Sequence, residues 1–176
     1  VQTCALPIWK AVMPLEVIRL DPQRAENAVN AYGDSLLRLC SVMLGNREDA
    51  LDAVQETFLK YMTKSPAFND SEHEKAWLLR VASNECKDML RMRRHSSLLS
   101  LDDIRELGAE SEDDAQVLAL LCSLDEKYRA VIQLHYVEGY KIYELAEILG
   151  ITQAAVKKRL QRGREALRSM MEKEAE

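Results

Sequence analysis

Helix breakers are scarce, with 6 glycines and 4 prolines among 176 residues. That shortage argues against a turn-rich sandwich or barrel and favours long helices. No segment alternates apolar and polar residues between turn signals, so strands are not expected. Cysteine is also sparse: Cys4, Cys40, Cys86 and Cys122 lie far apart. No two of them have metal-ligand or C-x-x-C spacing. Cys40, Cys86 and Cys122 sit in apolar helical contexts and read as free core thiols of a reducing cytoplasm. No apolar run is long enough to cross a membrane, and Val1 to Val12 lack the pattern of a signal peptide. There is no nucleophile–base pair, metal cluster or phosphate loop, so no enzyme, catalytic residue, metal or cofactor is expected. His73 and His95 have no partner at ligand spacing and read as surface residues.

What is present is apolar and helix-forming. Hydrophobic residues make up 47% of the chain, enough for packed cores. The expected fold class is all-α: two small helical domains joined by an acidic linker, the C-terminal one a helix-turn-helix. Residues 1–21 form an N-terminal extension, in which Met13-Pro14 is a candidate start and 1–12, native or not, are given no function. The first domain spans 22–94, the linker 95–114 and the second domain 115–176. A helix is expected from Pro22 to Leu44, stopped by Gly45. Asn46 caps a second helix running to about Thr63. Ser71-x-x-Glu74 reads as a capping box for a third, ending near Arg94. In the linker Asp102, Asp103, Glu106, Glu110, Glu112, Asp113 and Asp114 face only Arg105. Helix resumes from about Asp114 to Leu124. Ser123-x-x-Glu126 reads as a second capping box, opening a helix to Glu138 that Gly139 stops.

From Lys141 the pattern is helix, tight turn, helix, reaching about Lys173. Ala146 is small where two helices cross, Gly150 supplies the left-handed turn, Thr152 caps the second helix and Val156 packs it back. These spacings point to a DNA-binding helix-turn-helix. Val156, Leu160, Gly163 and Leu167 share one stripe of the second helix, with Lys158, Gln161 and Arg162 opposite. Lys157, Arg159, Arg164 and Arg168 flank them. Long cations suit guanine edges and phosphates, and glutamine suits adenine. The net charge is −5, so any nucleic-acid role rests on local patches such as this one.

The first domain offers two more faces. Ala50, Val54, Phe58 and Tyr61 form an apolar stripe, and Asp49, Asp52 and Glu56 cluster elsewhere, with Gln55 and Leu59 beside them. Such a strip suits a basic helical partner or is simply solvated. On the third helix Leu78, Val81, Ala82 and Met89 point inward. Arg80, Asn84, Lys87, Arg91 and Arg94 fall on the outside, as a row that suits a nucleic-acid backbone. Trp77 near its start is either core or a base-stacking residue.

Asp49-Ala-Leu-Asp-Ala-Val-Gln-Glu-Thr-Phe-Leu59 resembles the "DAEDLVQETFL" signature of region 2 of bacterial sigma factors. Ala76-Trp-Leu-Leu-Arg-Val-Ala-Ser-Asn-Glu-Cys-Lys-Asp-Met-Leu90 resembles the segment that follows it, which melts the promoter. Leu124 to Arg168 is similar to region 4, including "GYKIYELAEILGIT" and "VKKRLQRGREALR". The order matches from about Ala28 to Arg168. With no extra N-terminal region or middle domain, the chain resembles the extracytoplasmic-function (ECF) group of the sigma-70 family. The resemblance implies a monomeric cytoplasmic subunit that binds core RNA polymerase and promoter DNA, without inserting in a membrane, and that an anti-sigma factor restrains. Asp49, Asp52, Gln55, Glu56 and Leu59 would bind the polymerase. Asn84, with Trp77, Arg80, Lys87, Arg91 and Arg94 around it, would hold the −10 strand, a base read on its pairing edge. Lys157, Lys158, Arg159, Gln161 and Arg162 would read the −35 duplex, and the acidic linker would imitate nucleic acid.

The chain departs from the pattern at Asp125, where many relatives have proline. Lys141 stands at a usual Ser or Thr cap, and Ala154 and Ala155 at positions often Gly and Thr. Two basic helices on an acidic chain should bind free DNA weakly. The rival readings are a stand-alone helix-turn-helix regulator, which predicts dimers and tight DNA binding without polymerase, and a protein that mimics a sigma domain.

Overall fold

The computed structural model describes residues 21–92 and 119–174. Among these residues the chain is helical, with no strand. Arg94, His95, the acidic linker and residues 1–20 of the N-terminal extension lie outside the described residues, as do the expected domain boundaries at 94/95 and 114/115.

Helix α1 spans Pro22–Leu44. Asp21 accepts from the Gln23 backbone N–H at its start, Pro22 occupies the first turn, and Gly45 ends it at φ 65°. Helix α2, Arg47–Lys64, begins at Asn46, whose side chain accepts from the Asp49 N–H. Helix α3, Ser71–Met92, is capped one residue earlier than expected, and its expected end near Arg94 falls outside the described residues. Asp70 Oδ1 accepts from the His73 N–H at 2.7 Å. Ser71 is therefore not the cap, and Glu74 serves elsewhere, as described below. The three helices bury Leu36, Leu39, Tyr61, Leu78 and Leu79 completely. Each such apolar side chain contributes about 1.5–3 kcal/mol.

In the C-terminal half, residues 119–123 are helical. Helix α4 covers Glu126–Ile132, and its cap is Asp125, which accepts from the Lys127 N–H. Ser123 instead turns its hydroxyl back to the Leu120 carbonyl at 2.7 Å, so the second expected capping box is also absent. The departure at Asp125 thus replaces one helix starter with another, since proline and an aspartate cap both favour that position. The expected helix to Glu138 changes pitch midway. Gln133–Val137 form a π turn, closed by the Glu138 N–H on the Gln133 carbonyl. Helix α5 is Ile142–Leu149 and helix α6 is Gln153–Glu174. Glu144 Oε2 accepts from the Lys141 N–H at 2.7 Å, which lets a lysine stand at this helix start. Gly150 makes the turn at φ 64°, and Thr152 Oγ1 accepts from the Ala155 N–H.

The two halves share one continuous core. Leu36, Leu39, Leu78 and Leu79 of the first half join the same buried cluster as Leu134, Leu145, Ile148 and Val156 of the second. Helix α3 packs on α5, and α1 packs on α4.

Candidate nucleic-acid interface

The helix-turn-helix assembles as the residue pattern requires. Val156, Leu160 and Gly163 are buried, and Lys157, Lys158, Gln161 and Arg162 are exposed on the opposite side of α6. Arg159 is half-buried. Gln161 Nε2 donates to Glu165 Oε1 at 2.9 Å, which orients its amide along the helix. Arg164 reaches the exposed Tyr136 hydroxyl at 3.1 Å. This face presents four long polar side chains without competing acids at their tips, apart from Glu165, and has the chemistry to enter a major groove.

On α3, Arg80, Asn84 and Arg91 are exposed. Arg91 pairs with Asp88 at 2.8 Å in a surface contact of little energetic weight. Lys87 is different. It is half-buried, and its Nζ donates to the Leu149 carbonyl at the end of α5, 3.1 Å away. Burial holds its pKa below the ordinary lysine value, and Arg159, Arg91 and Arg80 push in the same direction. Trp77 is half-buried and lies 6.2 Å from Tyr61 and 5.7 Å from Phe68, centroid to centroid. Of its two readings the aromatic core is the one the geometry supports.

Helix α2 carries the acidic strip. Asp52 and Gln55 are exposed, Glu56 and Leu59 half-buried. Glu56 lies 3.8 Å from Lys60, one turn along. Asp49 is buried, unlike the others, and its backbone N–H is held by the Asn46 side chain. Leu51, 45% exposed, adds an apolar side chain beside Asp52 that the acidic pattern did not single out. The strip is mixed in character, and such surfaces suit partners that supply cations and apolar stems together.

The structure also assembles contacts that the motifs gave no sign of. Glu138, just after the π turn, accepts from the Ser35 hydroxyl at 3.1 Å and from Lys75 Nζ at 3.0 Å. Arg38 stands 3.7 Å from its other oxygen. Only 6% of this carboxylate side chain is exposed. Arg129 of α4 donates to the Val42 and Met43 carbonyls at 3.4 and 3.3 Å. These are end carbonyls of α1 that no intrahelical N–H can reach. Burial holds the Arg129 pKa below the usual guanidinium value. Glu138 offered no signal in the sequence, since its partners are about 60 to 100 residues away.

The described residues contain no group of three side chains placed to hold a metal ion. No helix among them is long and apolar enough to cross a membrane. Cys40 and Cys86 are wholly buried. The neighbouring Cys40 thiol and burial both push the Cys86 pKa far up, so it stays a neutral thiol.

Comparison with known proteins gives the class. Residues 28–96 match the model of sigma-70 region 2, and residues 114–167 that of sigma-70 region 4. The chain is 31% identical to the ECF RNA polymerase sigma factor SigW of Bacillus subtilis, over 89% of this chain and 93% of that one. Among solved structures it is similar to CnrH in complex with the cytosolic domain of CnrY, at 27% identity and TM-score 0.62, covering 86% and 90% of the two chains. The sigma factor RpoE of Bartonella quintana, solved with the anti-sigma factor NepR, shares the fold at TM-score 0.68 and 20% identity, covering 85% and 98%. The architecture is that of the sigma-70 family. The chain belongs to its ECF group of RNA polymerase sigma factors. It is a sigma factor that binds core RNA polymerase and directs promoter recognition and transcription initiation.

Proposed function

We propose that the work is divided between the two halves, with the domains at 22–94 and 115–176 and the acidic linker between them. The exposed strip of α2 docks on the polymerase. Asp52, Gln55, Glu56 and Leu59 make the contact, Leu51 adds apolar area, and Asp49 supports the first turn from within. Arg80, Asn84 and Arg91 of α3 hold the unpaired −10 strand, joined by Lys87 when its amine is free and by Arg94. Trp77 fixes the helix in place through its aromatic neighbours. Lys157, Lys158, Arg159, Gln161 and Arg162 of α6 read the −35 duplex, with the amide of Gln161 released from Glu165 on binding.

The observation that carries this reading is the pairing of an exposed α6 face of cations and amide with a second cation row on α3. A sigma factor must read two DNA elements, and these two faces offer one candidate for each. The protein acts by binding and not by catalysis, in the cytoplasm, as a monomer when free. An anti-sigma factor is its natural restraint, as in the Bartonella quintana complex of the same fold.

The test is co-elution with bacterial core RNA polymerase on size exclusion, beside an Asp52→Arg, Glu56→Arg double variant. Reversing two strip charges should weaken association by roughly 100-fold or more, the scale of two lost charge contacts. Far-UV circular dichroism checks that the variant still folds. Co-elution of both chains alike would remove this strip from the interface. If neither co-eluted while the free chain bound duplex DNA tightly, the sigma reading would fail.

A further inference from the structure

Helix α6 carries a cation that only flanks the reading face, yet the structure gives it a partner from outside the helix. Lys157, Gln161 and Arg164 recur at four- and three-residue spacing, so they share one side of α6. Arg164 lies seven residues beyond Lys157, or roughly 10 Å along the axis. Its Nη1 donates to the hydroxyl of Tyr136, a residue of the π turn, at 3.1 Å. The acids near it on α6 are engaged otherwise, Glu165 by Gln161 and Glu172 by Arg168. Arg164 is exposed, and so is Tyr136, at 55%.

Tyr136 is itself held. His135 Nδ1 donates to the Tyr140 carbonyl at 2.7 Å, since a carbonyl oxygen only accepts. The imidazole meets the Tyr136 ring edge to face, 4.9 Å between centroids. Tyr140 in turn is buried. The π turn takes one more residue per hydrogen bond than an α turn, which changes where its side chains point and often marks a functional position. An exposed hydrogen bond of this kind competes with water and adds little to stability. Its effect is on shape: a long side chain already extended loses less freedom when a ligand takes it. A guanidinium has five donors, and Tyr136 occupies one nitrogen. The edge formed by Nε and Nη2 is left for a bidentate oxyanion.

We propose that Tyr136 is a positioning residue for duplex binding: it holds Arg164 extended for a backbone phosphate beside the base pairs that α6 reads. The π turn then belongs to the DNA interface, although it lies before the helix-turn-helix in the chain. Phosphate contacts fix the register of a reading helix and carry no base information themselves. The held Arg164 thus sets where Gln161, one turn before it on the same side, meets the bases. This inference rests on α6 as the duplex reader and not on polymerase binding.

Fluorescence anisotropy tests this with the full chain and a labelled DNA duplex of mixed sequence across a salt series. An Arg80→Ala, Arg91→Ala parent removes the exposed cations of the α3 row, so that binding reports on α6. Arg164→Ala should make the slope of log affinity against log salt shallower by about 0.9, the value of one phosphate. Tyr136→Phe keeps the ring and should weaken binding about fivefold, the scale of one hydrogen bond. In the Arg164→Ala chain the same Tyr136→Phe change should have no further effect, because the hydroxyl acts through the guanidinium. A purely structural role would not produce that dependence, and both side chains are exposed, so urea midpoints should stay unchanged. Three outcomes would each overturn the inference: Tyr136→Phe binding as tightly as its parent, a fivefold loss that persists without Arg164, or an unchanged slope in Arg164→Ala. A Lys158→Ala, Arg162→Ala chain separates this inference from the reading beneath it. If that chain binds as its parent does, α6 is not the reader and both fall. If it binds weakly while Tyr136→Phe does not, only the role of Tyr136 falls.

Discussion

At the scale of single residues, the first half is organised around Glu74. It was expected to cap α3, yet its carboxylate accepts from the Tyr61 hydroxyl at 2.5 Å and from Arg24 at 3.0 Å. The Tyr32 hydroxyl lies 3.5 Å from its second oxygen. Tyr61 is wholly buried, and burial and Glu74 together push its pKa up to about 12. The side chain thus ties α1 and α2 to the first turn of α3. Removing it strands a buried hydroxyl, which costs about 1–3 kcal/mol, while the half-exposed Arg24 pair adds little. Glu74→Ala should therefore lower stability in urea unfolding by about 2 kcal/mol, and Arg24→Ala by less than about 1 kcal/mol. Equal losses from the two would show that the ion pair, not the buried hydroxyl, is what Glu74 secures.

At the scale of elements, α4 and α6 meet at Gly163. A side-chain carbon added there would stand 3.1 Å from Ile132 Cγ1, 3.2 Å from Cδ1 and 3.4 Å from Tyr128 Cβ. The glycine is needed for close approach, since α6 is otherwise regular. Gly163→Ala gains about 1 kcal/mol of helix propensity and loses a similar amount if Ile132 must move, so it should be close to neutral. Gly163→Val adds two more carbons in a filled space and should cost about 2–3 kcal/mol. Thermal unfolding of the two variants checks the order, and a valine chain as stable as wild type would mean that α4 and α6 are loosely packed. The place of Gly163 on the inner stripe was legible from periodicity, as were Gly45 and Gly150 at their turns. Both misread caps have one cause: Ser-x-x-Glu is a local pattern, and at Glu74 distant partners claimed the carboxylate. At Ser123 an aspartate two residues on was the better starter. The π turn left no trace in the pattern, because a change of pitch over five residues barely alters apolar spacing. The acidic strip was legible as a charge cluster, but the burial of Asp49 was not, since only packing decides which side of a first turn faces inward.

At the scale of the whole molecule, the sequence divides into two helical units and the structure closes them on one another. The division is legible because the linker changes composition. The closure is not, because it depends on Glu138, Arg129 and Lys87 meeting partners from the other half: no pattern singled out the first two, and the outward place of Lys87 on its helix gave no sign of Leu149. A continuous core has a consequence for unfolding. Two independent domains of this size would melt separately, whereas a shared buried cluster couples them into one cooperative unit. In a Trp9→Phe chain, Trp77 alone reports by fluorescence on the first half, while far-UV ellipticity reports on helices of both. The two signals should fall at the same urea midpoint. Glu138→Lys, which leaves each half's own packing intact, should separate them, with one signal moving ahead of the other. Separate midpoints in the Trp9→Phe chain itself would show that the apolar contact between α1, α3 and the C-terminal helices is too weak to couple the halves. The closed state would then be held by the charged contacts alone.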